Sequence, residues 1–285
     1  MNEPAGRLAT DIERLYQQGA AADKGESRAV FSSLRAELSA GRVRSAERDP
    51  STSSGWRVNT WVKQGILVGF RCGDLVDFSI DEGRWFFGDK DTLPLKRMDT
   101  GMSVRVVPGG SSIRDGAYVG RGVICVPPMF INIGAYVDES SLVDSHALVG
   151  SCAQVGKRVH ISAGAQIGGV IEPVGAIPVI IEDEVLIGGN TGIYEGAVIK
   201  TRAVIGAGTI LTGSTPIYDL PNGRVIRPEG DAPLIVPEGA VVVPGARAVT
   251  QGMGPDWGLS LMTPVIVKYR DDKTDARTSL EEWVR

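Results

Sequence analysis

The sequence predicts a mainly β protein, a left-handed parallel β-helix, and three observations carry that prediction. From residue 113 onward an aliphatic side chain, once replaced by cysteine, recurs at every sixth position. A small or β-branched residue follows four positions after most of them, and glycine, aspartate or asparagine often follows directly. Such repeats indicate a solenoid whose units pack on their neighbours. Three hexads form one triangular coil, so we expect a solid prism of about six stacked coils.

The hexads fall into two runs separated by a gap. The gap from Ile167 to Ile181 spans fourteen residues, which is two hexads plus two residues. We therefore expect a loop inserted at about 168–180 that projects from one edge of the prism. The residue directly after each aliphatic tolerates a tight or left-handed backbone, so we place the turns there. The aliphatic positions are Ile113, Val119, Cys125, Ile131, Val137, Val143, Val149, Val155, Ile161 and Ile167, then Ile181, Ile187, Ile193, Ile199, Ile205, Leu211 and Ile217.

Residues 1–100 precede the repeats and indicate a small α-helical domain. Apolar residues at helical spacing predict two short amphipathic helices, and Gly41 ends the second. A third apolar set follows the stretch Ser51–Ser54, which we expect to be an exposed loop. The three sets are Leu8, Ile12, Leu15 and Tyr16; Phe31, Leu34 and Leu38; and Trp61, Val62, Ile66 and Phe70.

The β-helix itself is assigned to residues 101–245. Its hexad register lapses after Ile217 and resumes briefly at Val236 and Val242, which indicates that the end of the prism is being capped. Residues 246–285 then form a C-terminal cap.

Two features of this cap predict its structure. The apolar run Pro264–Val267 predicts a short strand. Thr278 and Glu281 match a capping box ahead of Trp283, and therefore predict a final helix.

Composition and charge exclude several classes of function. Thirty basic against 34 acidic residues give a net charge of −4, and no block of lysine or arginine marks a nucleic-acid-binding surface. No stretch approaches the roughly 20 apolar residues of a membrane span, and the N-terminus lacks a signal-peptide core. Three scattered cysteines, Cys72, Cys125 and Cys152, fit reduced, buried thiols better than a disulfide framework. These properties predict a cytoplasmic enzyme that binds neither nucleic acid nor membrane.

A prism filled with aliphatic side chains has no internal pocket, so its binding site must lie on an outer face or between prisms. Heterologous contacts between subunits ordinarily close into rings, and three prisms around one axis form three equivalent clefts. We therefore expect a homotrimer with its sites between subunits. The inserted loop at 168–180 would reach into such a cleft, or would be an ordinary surface bulge.

Six short motifs along the chain are distinctive. They are Arg105–Pro108, Asn132–Asp138, Val143–Asp144, Gly150–Gln154, Gly168–Pro173 and Val265–Lys268. Together they closely resemble the tetrahydrodipicolinate N-succinyltransferases. The likeness covers nearly the whole chain, and weakens only at the extreme N-terminus and between about residues 220 and 235.

The resemblance implies a trimeric enzyme of diaminopimelate and lysine biosynthesis. Members of this family transfer the succinyl group of the co-substrate succinyl-CoA to the amino group of L-2-amino-6-oxopimelate, the ring-opened hydrate of tetrahydrodipicolinate, and need no metal. In the family, the arginine of the Arg-Val-Val-Pro motif and the aspartate of the Val-Asp motif bind substrate. These positions are Arg105 and Asp144 in this sequence.

The chemistry of both side chains suits these roles. A dicarboxylate substrate calls for a guanidinium, because paired charge-assisted hydrogen bonds fix a carboxylate in place, and Arg105 offers one. The amine must lose a proton before it attacks a thioester, so Asp144 is also a catalytic candidate that orients the ammonium and accepts its proton. The competing interpretation of Asp144 is a turn residue that binds backbone amides.

One departure from the family concerns acid–base chemistry. Family members carry a glutamate three residues before the position of Glu195, and this sequence has Gly192 there. In one interpretation Glu195 is a second catalytic residue that takes over part of the role. In others Asp144 suffices, or Glu195 is a solvated turn residue.

The CoA arm is expected along the groove between adjacent prisms. Glycines there let the backbone approach the pantetheine, and nearby cations meet the phosphates. A structural glycine or a solvated cation is the competing interpretation for each candidate. The candidates are Ser162, Gly164, Gly189 and Gly206 for the groove, with Lys200 and Arg202 for the phosphates.

Other activities remain as alternatives. Related hexapeptide acyltransferases use a histidine base, which either His146 or His160 would supply, unless both are turn residues without a chemical role. The β-helical carbonic anhydrases bind zinc through three histidines, and two histidines without that spacing argue against this class. An acetyl-CoA-dependent enzyme and a non-catalytic scaffold share the prism, and the role of Cys152 stays open beside a default of burial.

Overall fold

The computed structural model describes residues 3–81, 83–228, 230 and 232–271. Three α-helices form its N-terminal part: α1 (Glu3–Gln18), α2 (Lys24–Ser39) and α3 (Thr60–Cys72). Two antiparallel hairpins accompany them: β1 (Ala46–Arg48) with β2 (Trp56–Val58), and β3 (Leu75–Asp77) with β4 (Gly88–Lys90). Short 3₁₀ turns cover Gly19–Ala21 and Thr100–Met102.

The helices form because their apolar stripes meet in a shared core. Ile12, Leu34 and Ile66, one from each helix, are completely buried together. Asp23 caps α2, since its carboxylate accepts a hydrogen bond from the amide of Glu26 at 2.7 Å. The two predicted helices are therefore confirmed, and the third apolar set is a helix as well. The loop at Ser51–Ser54 is also observed, although Ser54 is buried.

After the helices the chain winds through short parallel strands that stack into three sheets, one for each face of a prism. The covered face contains β7 (Tyr118–Val119), β10 (Tyr136–Val137), β13 (Gln154–Val155), β16 (Ile180–Ile181), β19 (Val198–Ile199) and β24 (Ile235–Val236). The apolar face contains β5 (Arg105–Val106), β8 (Ile124–Cys125), β11 (Leu142–Val143), β14 (His160–Ile161), β17 (Leu186–Ile187), β20 (Val204–Ile205) and β25 (Ala240–Ala248). The third face contains β6 (Ser112–Ile113), β9 (Phe130–Ile131), β12 (Leu148–Val149), β15 (Gln166–Ile167), β18 (Gly192–Ile193) and β21 (Ile210–Leu211).

Successive coils stack in register. Ile124 pairs with Leu142 and Leu142 pairs with His160, each eighteen residues further along the chain. The second residue of each strand points inward, as with Val143 and Ile161, which are completely buried. The predicted left-handed parallel β-helix with a continuous aliphatic core is confirmed.

The inserted loop lengthens one coil of the prism. Across it, Gln154 pairs with Ile180 and His160 pairs with Leu186, each 26 residues apart instead of eighteen. One hexad still turns the corner between β15 and β16, so eight residues are added. The predicted insertion within 168–180 is therefore observed, and the fourteen-residue gap consists of one hexad and eight inserted residues.

The inserted loop also packs against its own subunit. The Val170 amide donates to the Ser151 carbonyl at 3.2 Å, and the Lys63 ammonium in α3 donates to the Ala176 carbonyl. Ile177 packs on Gly196, where a Cβ would lie 2.7 Å from its Cγ2 atom. The loop therefore lies between the helices and the prism, with exposed residues such as Glu172 near its tip.

The left-handed residues of the turns lie elsewhere than predicted. Ser140, His146 and Arg158 have φ of 58°, 61° and 53°, and each is the third residue after an inward aliphatic. The glycines directly after the aliphatics serve close stacking instead. A Cβ at Gly188 would lie 2.5 Å from the amide nitrogen of Ala207 on the next coil.

A long hairpin closes the far end of the prism. Ile217 begins β22 (Ile217–Asp219), which leaves the coil and pairs with β23 (Arg224–Ile226) and with β26 (Ser260–Tyr269). Val236 and Val242 resume the stacking, as predicted. The C-terminal strand β26 pairs antiparallel with β25 and has ten residues, so it is longer than predicted. The predicted helix at Thr278–Trp283 lies outside the described residues.

The N-terminal part lies against the covered face. Arg44 stacks on Tyr136, with its guanidinium carbon 3.6 Å from the ring centroid, and donates to Gln154 at 2.9 Å. Burial lowers the pKa of Arg44. Ile180 and Val198 form a buried cluster with Trp56. This packing leaves the apolar face and the third face for other contacts.

Candidate active site

Three edges of the prism carry the candidate residues, and each is named after one of them. Residues that follow strands of the apolar face form the Asp144 edge, those that follow the third face form the Glu195 edge, and those that follow the covered face form the Lys200 edge. Within one edge, residues on adjacent coils lie about 4.8 Å apart. Position on an edge therefore decides which candidates come together.

Five candidates come together on the Asp144 edge. Val143 pairs with Ile161, Ile161 with Ile187, and Ile187 with Ile205, so the residues behind these four stack on successive coils. The stacked candidates are Asp144, Ser162, Gly164, Gly189 and Gly206. The Asp144 carboxylate lies at one end of this edge. The candidates on the coils beyond it are one serine and three glycines.

Asp144 is half-buried and locally fixed. Its Oδ1 atom accepts a hydrogen bond from the Ser145 amide at 2.7 Å. Asn132 and Asp138 make the same bond to the following amide at 2.8 Å on other edges. This bond is thus a feature of the turns, and it holds the Asp144 carboxylate at the edge.

The two histidines occupy different places. His146 lies two residues beyond Asp144, is exposed, and has a left-handed backbone. His160 lies on β14 with its side chain on the outer side of the apolar face, half-buried. His146 is therefore the histidine next to the candidate carboxylate.

Arg105 begins the apolar face. Its strand β5 pairs with β8, which pairs with β11, so Arg105 lies two coils before Leu142. Two coil spacings and two residues of strand separate its Cα from that of Asp144, roughly 12 Å in all. Arg105 is exposed. An extended arginine side chain and a substrate of several carbons span this distance together.

Lys200 does not join the groove. It lies on the Lys200 edge, where its ammonium binds Glu182 Oε1 at 3.0 Å and the Ser54 carbonyl at 2.6 Å. The ammonium is held between the prism and hairpin β1–β2, and its contact with a CoA phosphate stays a prediction. Arg202 lies on the same edge, with its carbonyl accepting from Arg270 at 3.3 Å.

Glu195 lies on its own edge, apart from Asp144. Its strand β18 stacks two coils beyond β12, the strand that follows Asp144. The Glu195 side chain is exposed, and its Oε2 atom accepts from the Gly213 amide on the next coil at 2.9 Å. Within one subunit the structure does not bring the two carboxylates together.

Comparisons with known proteins show which sequences this chain is similar to. Residues 7–72 match a family described as tetrahydrodipicolinate N-succinyltransferase N-terminal, and residues 178–213 match one described as hexapeptide repeat of succinyl-transferase. A 2,3,4,5-tetrahydropyridine-2,6-dicarboxylate N-succinyltransferase of Nitrobacter winogradskyi is 40% identical over 99% of both chains. One from Idiomarina loihiensis is 38% identical over 98% of this chain and 97% of its own. The chain belongs to the tetrahydrodipicolinate N-succinyltransferase family.

Tyr194 is a residue that sequence reasoning missed in this succinyltransferase family member. Its ring covers Gly192, the position of the family's glutamate, where a Cβ would lie 2.8 Å from the Tyr194 hydroxyl oxygen. The signal was present in the alternation of the strand, since residues 192 and 194 point outward on either side of inward Ile193. A side chain at position 192 and the observed ring position exclude each other.

Cys152 has a structural place in this family member. It lies on the Glu195 edge, packs in the core of the helices, and is completely buried. Burial raises the pKa of its thiol to about 12. The prediction of a buried, reduced thiol is confirmed, and the thiol lies away from the Asp144 edge.

Over residues 3–81, 83–228, 230 and 232–271, no cluster of three or more histidine, cysteine, aspartate or glutamate side chains is placed to hold a metal ion. Among the helices in these ranges, none is both long and apolar enough to cross a membrane.

Proposed function

We propose that this protein transfers succinyl from succinyl-CoA to the amino group of L-2-amino-6-oxopimelate. The observation that carries the proposal is the Asp144 edge, where one fixed carboxylate begins a column of small residues in a chain of this family. Arg105 lies within reach of the same substrate. The reaction belongs to diaminopimelate and lysine biosynthesis, and three buried thiols fit a cytoplasmic enzyme.

Asp144 acts on the amine. The carboxylate oxygen that does not bind Ser145 orients the ammonium and accepts its proton. The free amine nitrogen then forms a bond to the thioester carbon, and the carbon–sulfur bond breaks. The adduct's second proton goes to the departing CoA sulfur, and Asp144 returns its proton to water.

Arg105 holds the substrate in place. Its guanidinium pairs with one carboxylate of the acceptor through charge-assisted hydrogen bonds. This contact supplies binding and orientation but takes no part in bond making. We assign no acid–base step to Glu195 within one subunit, because its carboxylate is two coils and one face away.

The CoA arm follows the column beyond Asp144. The residues of that column have a small side chain or none, so pantetheine can approach the backbone. They are Ser162, Gly164, Gly189 and Gly206. Lys200, which binds Glu182 and Ser54, and Arg202 both lie on the Lys200 edge, so either cation would meet the CoA phosphates from the neighbouring subunit of a cleft.

We propose a homotrimer with the sites between subunits. The first residues of the strands of the apolar face are mostly Ile, Leu and Val: Leu186 and Val204 are partly exposed, whereas Ile124 and Leu142 are 4% and 9% exposed within the subunit. Such a flat apolar surface is typical of a contact between copies. We also propose three parts for the chain: a helical part (1–100), the prism (101–245) and a C-terminal cap (246–285).

The test is a free-thiol release assay with tetrahydrodipicolinate, comparing succinyl-CoA with acetyl-CoA. We expect turnover with succinyl-CoA, and a loss of about 100-fold or more in kcat for Asp144→Asn. Asp138→Asn is the matched control, because Asp138 makes the same amide bond on the Lys200 edge. Acetyl-CoA preference would indicate a sister specificity, and no turnover with either donor would contradict the proposal.

A further inference from the structure

A cavity lies where the C-terminal end of α2 meets the start of the prism. Its volume is about 530 Å³, and its lining comes from α2, the segment 94–97, Met102 and the turn residue Asp115. Small-molecule sites typically have volumes of roughly 300–1,000 Å³. Arg105 and Asp144 do not line this cavity, so it is separate from the site proposed for the transfer reaction.

Among the described residues that line this cavity, three are cationic and one is acidic. The acidic residue, Asp115, is already engaged. Its Oδ2 atom binds Arg35 Nε at 3.1 Å, and its Oδ1 atom accepts from the Ser39 hydroxyl and from its neighbouring amide, that of Gly116, at 3.0 Å. Asp115 therefore balances the charge of Arg35, and the other two cations have no carboxylate of their own.

Lys96 is the first of these two cations. It is half-buried, and its ammonium donates to the Ser39 carbonyl at the end of α2 at 3.0 Å. Within the part of the chain that the structure describes, it forms no ion pair with a carboxylate. Burial lowers the pKa of Lys96, and the charge of Asp115 offsets only part of this effect. A bound anion would stabilise this charge, because a cation withdrawn from water without a counter-ion is costly.

Arg97 is the second cation and lies next to Lys96 in the chain. Its side chain is exposed and lines the same cavity. Among residues 3–81, 83–228, 230 and 232–271, no group forms a hydrogen bond or an ion pair with its guanidinium. A guanidinium binds carboxylates and phosphates through paired charge-assisted hydrogen bonds. The two cations together therefore offer a place for one oxyanion.

The rest of the lining is partly apolar. Leu95 and Met102 border the cavity and are 59% and 37% exposed. Ligand sites commonly combine apolar walls with a few polar groups that fix the orientation of the ligand. A molecule that suits this cavity therefore has an anionic end and a short apolar body.

We propose that this cavity binds a small organic anion, whose carboxylate or phosphate meets Lys96 and Arg97 and whose apolar body packs on Leu95 and Met102. The inference goes beyond the proposed transfer reaction and does not depend on it. The binding is non-covalent and reversible.

Titration calorimetry of the full chain tests the proposal with pentanoate and butyl phosphate, and with pentanol as an uncharged probe. We expect saturable binding of at least one anion and none of pentanol, and a preference between the anions identifies the head group. Arg97→Gln and Lys96→Gln should each weaken the binding at least about tenfold. Arg84→Gln is the matched control, because Arg84 is equally exposed but lies outside the cavity, and it should leave the affinity unchanged.

Three results would overturn the inference. They are no saturable binding of either anion, equal binding of pentanol, and an affinity that is unchanged in both Arg97→Gln and Lys96→Gln. Binding that is lost in Arg105→Gln instead would place the anion at the acceptor site and would also overturn it. None of these measurements uses turnover of succinyl-CoA, so this inference and the proposed function fail separately.

Discussion

At the scale of single residues, the carboxylate of Glu182 joins the helical part to the prism. Its Oε1 atom accepts from Arg48 and Trp56 at 2.9 Å and from Lys200 at 3.0 Å, and its Oε2 atom accepts from Thr201. Burial alone would raise the pKa of Glu182, but the hydrogen bonds from Trp56 and Lys200 outweigh it and lower the pKa below its ordinary 4.5. Its contribution to stability is therefore present above pH 4.5 and lost as pH falls through the lowered value.

We expect Glu182→Gln to lower the free energy of unfolding by about 2 kcal/mol at pH 7, because charged hydrogen bonds are lost in a buried site. Urea unfolding at pH 7 and at successively lower pH measures this. The difference from the natural chain should shrink as pH falls below 4.5. Glu172→Gln, at an exposed site on the inserted loop, serves as control, and a difference independent of pH would contradict the argument.

Single residues also show what the sequence could predict. Asp144 and Arg105 came from motifs, and the structure leaves them on neighbouring parts of one surface. The pairing of Lys200 with Glu182 was foreseeable, because they are eighteen residues apart and so stack on adjacent coils. The contact of Lys200 with Ser54 was not, since no repeat relates a hairpin to the prism.

At the scale of elements, the inserted loop depends on close contact at its root. A Cβ at Gly150 would lie 2.6 Å from Gly169 Cα and 2.7 Å from the carbonyl carbon of Gly168. Both are backbone atoms, so the clash can be relieved only by moving the loop. We expect Gly150→Ala to cost roughly 1–3 kcal/mol and to speed hydrogen exchange across residues 168–178.

Gly175→Ala is the matched control for this loop, because a Cβ there meets nothing within 4 Å. Thermal unfolding and hydrogen exchange of both variants make the comparison. Equal unfolding temperatures and exchange rates for Gly150→Ala and Gly175→Ala would contradict the argument, because they would show that the backbone around Gly150 accommodates a Cβ.

The hexad period predicted the stacked strands from Ile113 to Leu211 but neither β5 nor the geometry of the turns. The hexad period indicates which side chains point inward. The residue with a left-handed backbone in each turn has no comparable pattern in the sequence. Positions such as His146 and Arg158 adopt left-handed φ with ordinary side chains because the coils on either side hold them there. The packing of the inserted loop on the helices was also not predicted, because it depends on contacts between residues that are distant in sequence.

At the scale of the whole molecule, the apolar face is the surface proposed to meet another copy. Leu186 points outward in the middle of this face. We expect Leu186→Glu to yield monomers with greatly reduced turnover, because it places a charge in the contact. Light scattering coupled to gel filtration measures the mass.

Leu220→Glu is the control for the assembly, since Leu220 is 64% exposed beyond β22 and outside the apolar face. It should leave mass and turnover unchanged. A trimer that survives Leu186→Glu would place the contact on another face, and a natural chain that is monomeric would contradict the assembly altogether.

The stacking of coils also bears on how the chain folds. Each coil closes a loop of only eighteen residues onto its predecessor, so folding can start at any coil and spread along the axis. The coil with the insertion closes 26 residues, which adds about 0.3 kcal/mol of closure entropy. A prism of this kind can therefore acquire an inserted loop at one corner with almost no delay to its folding.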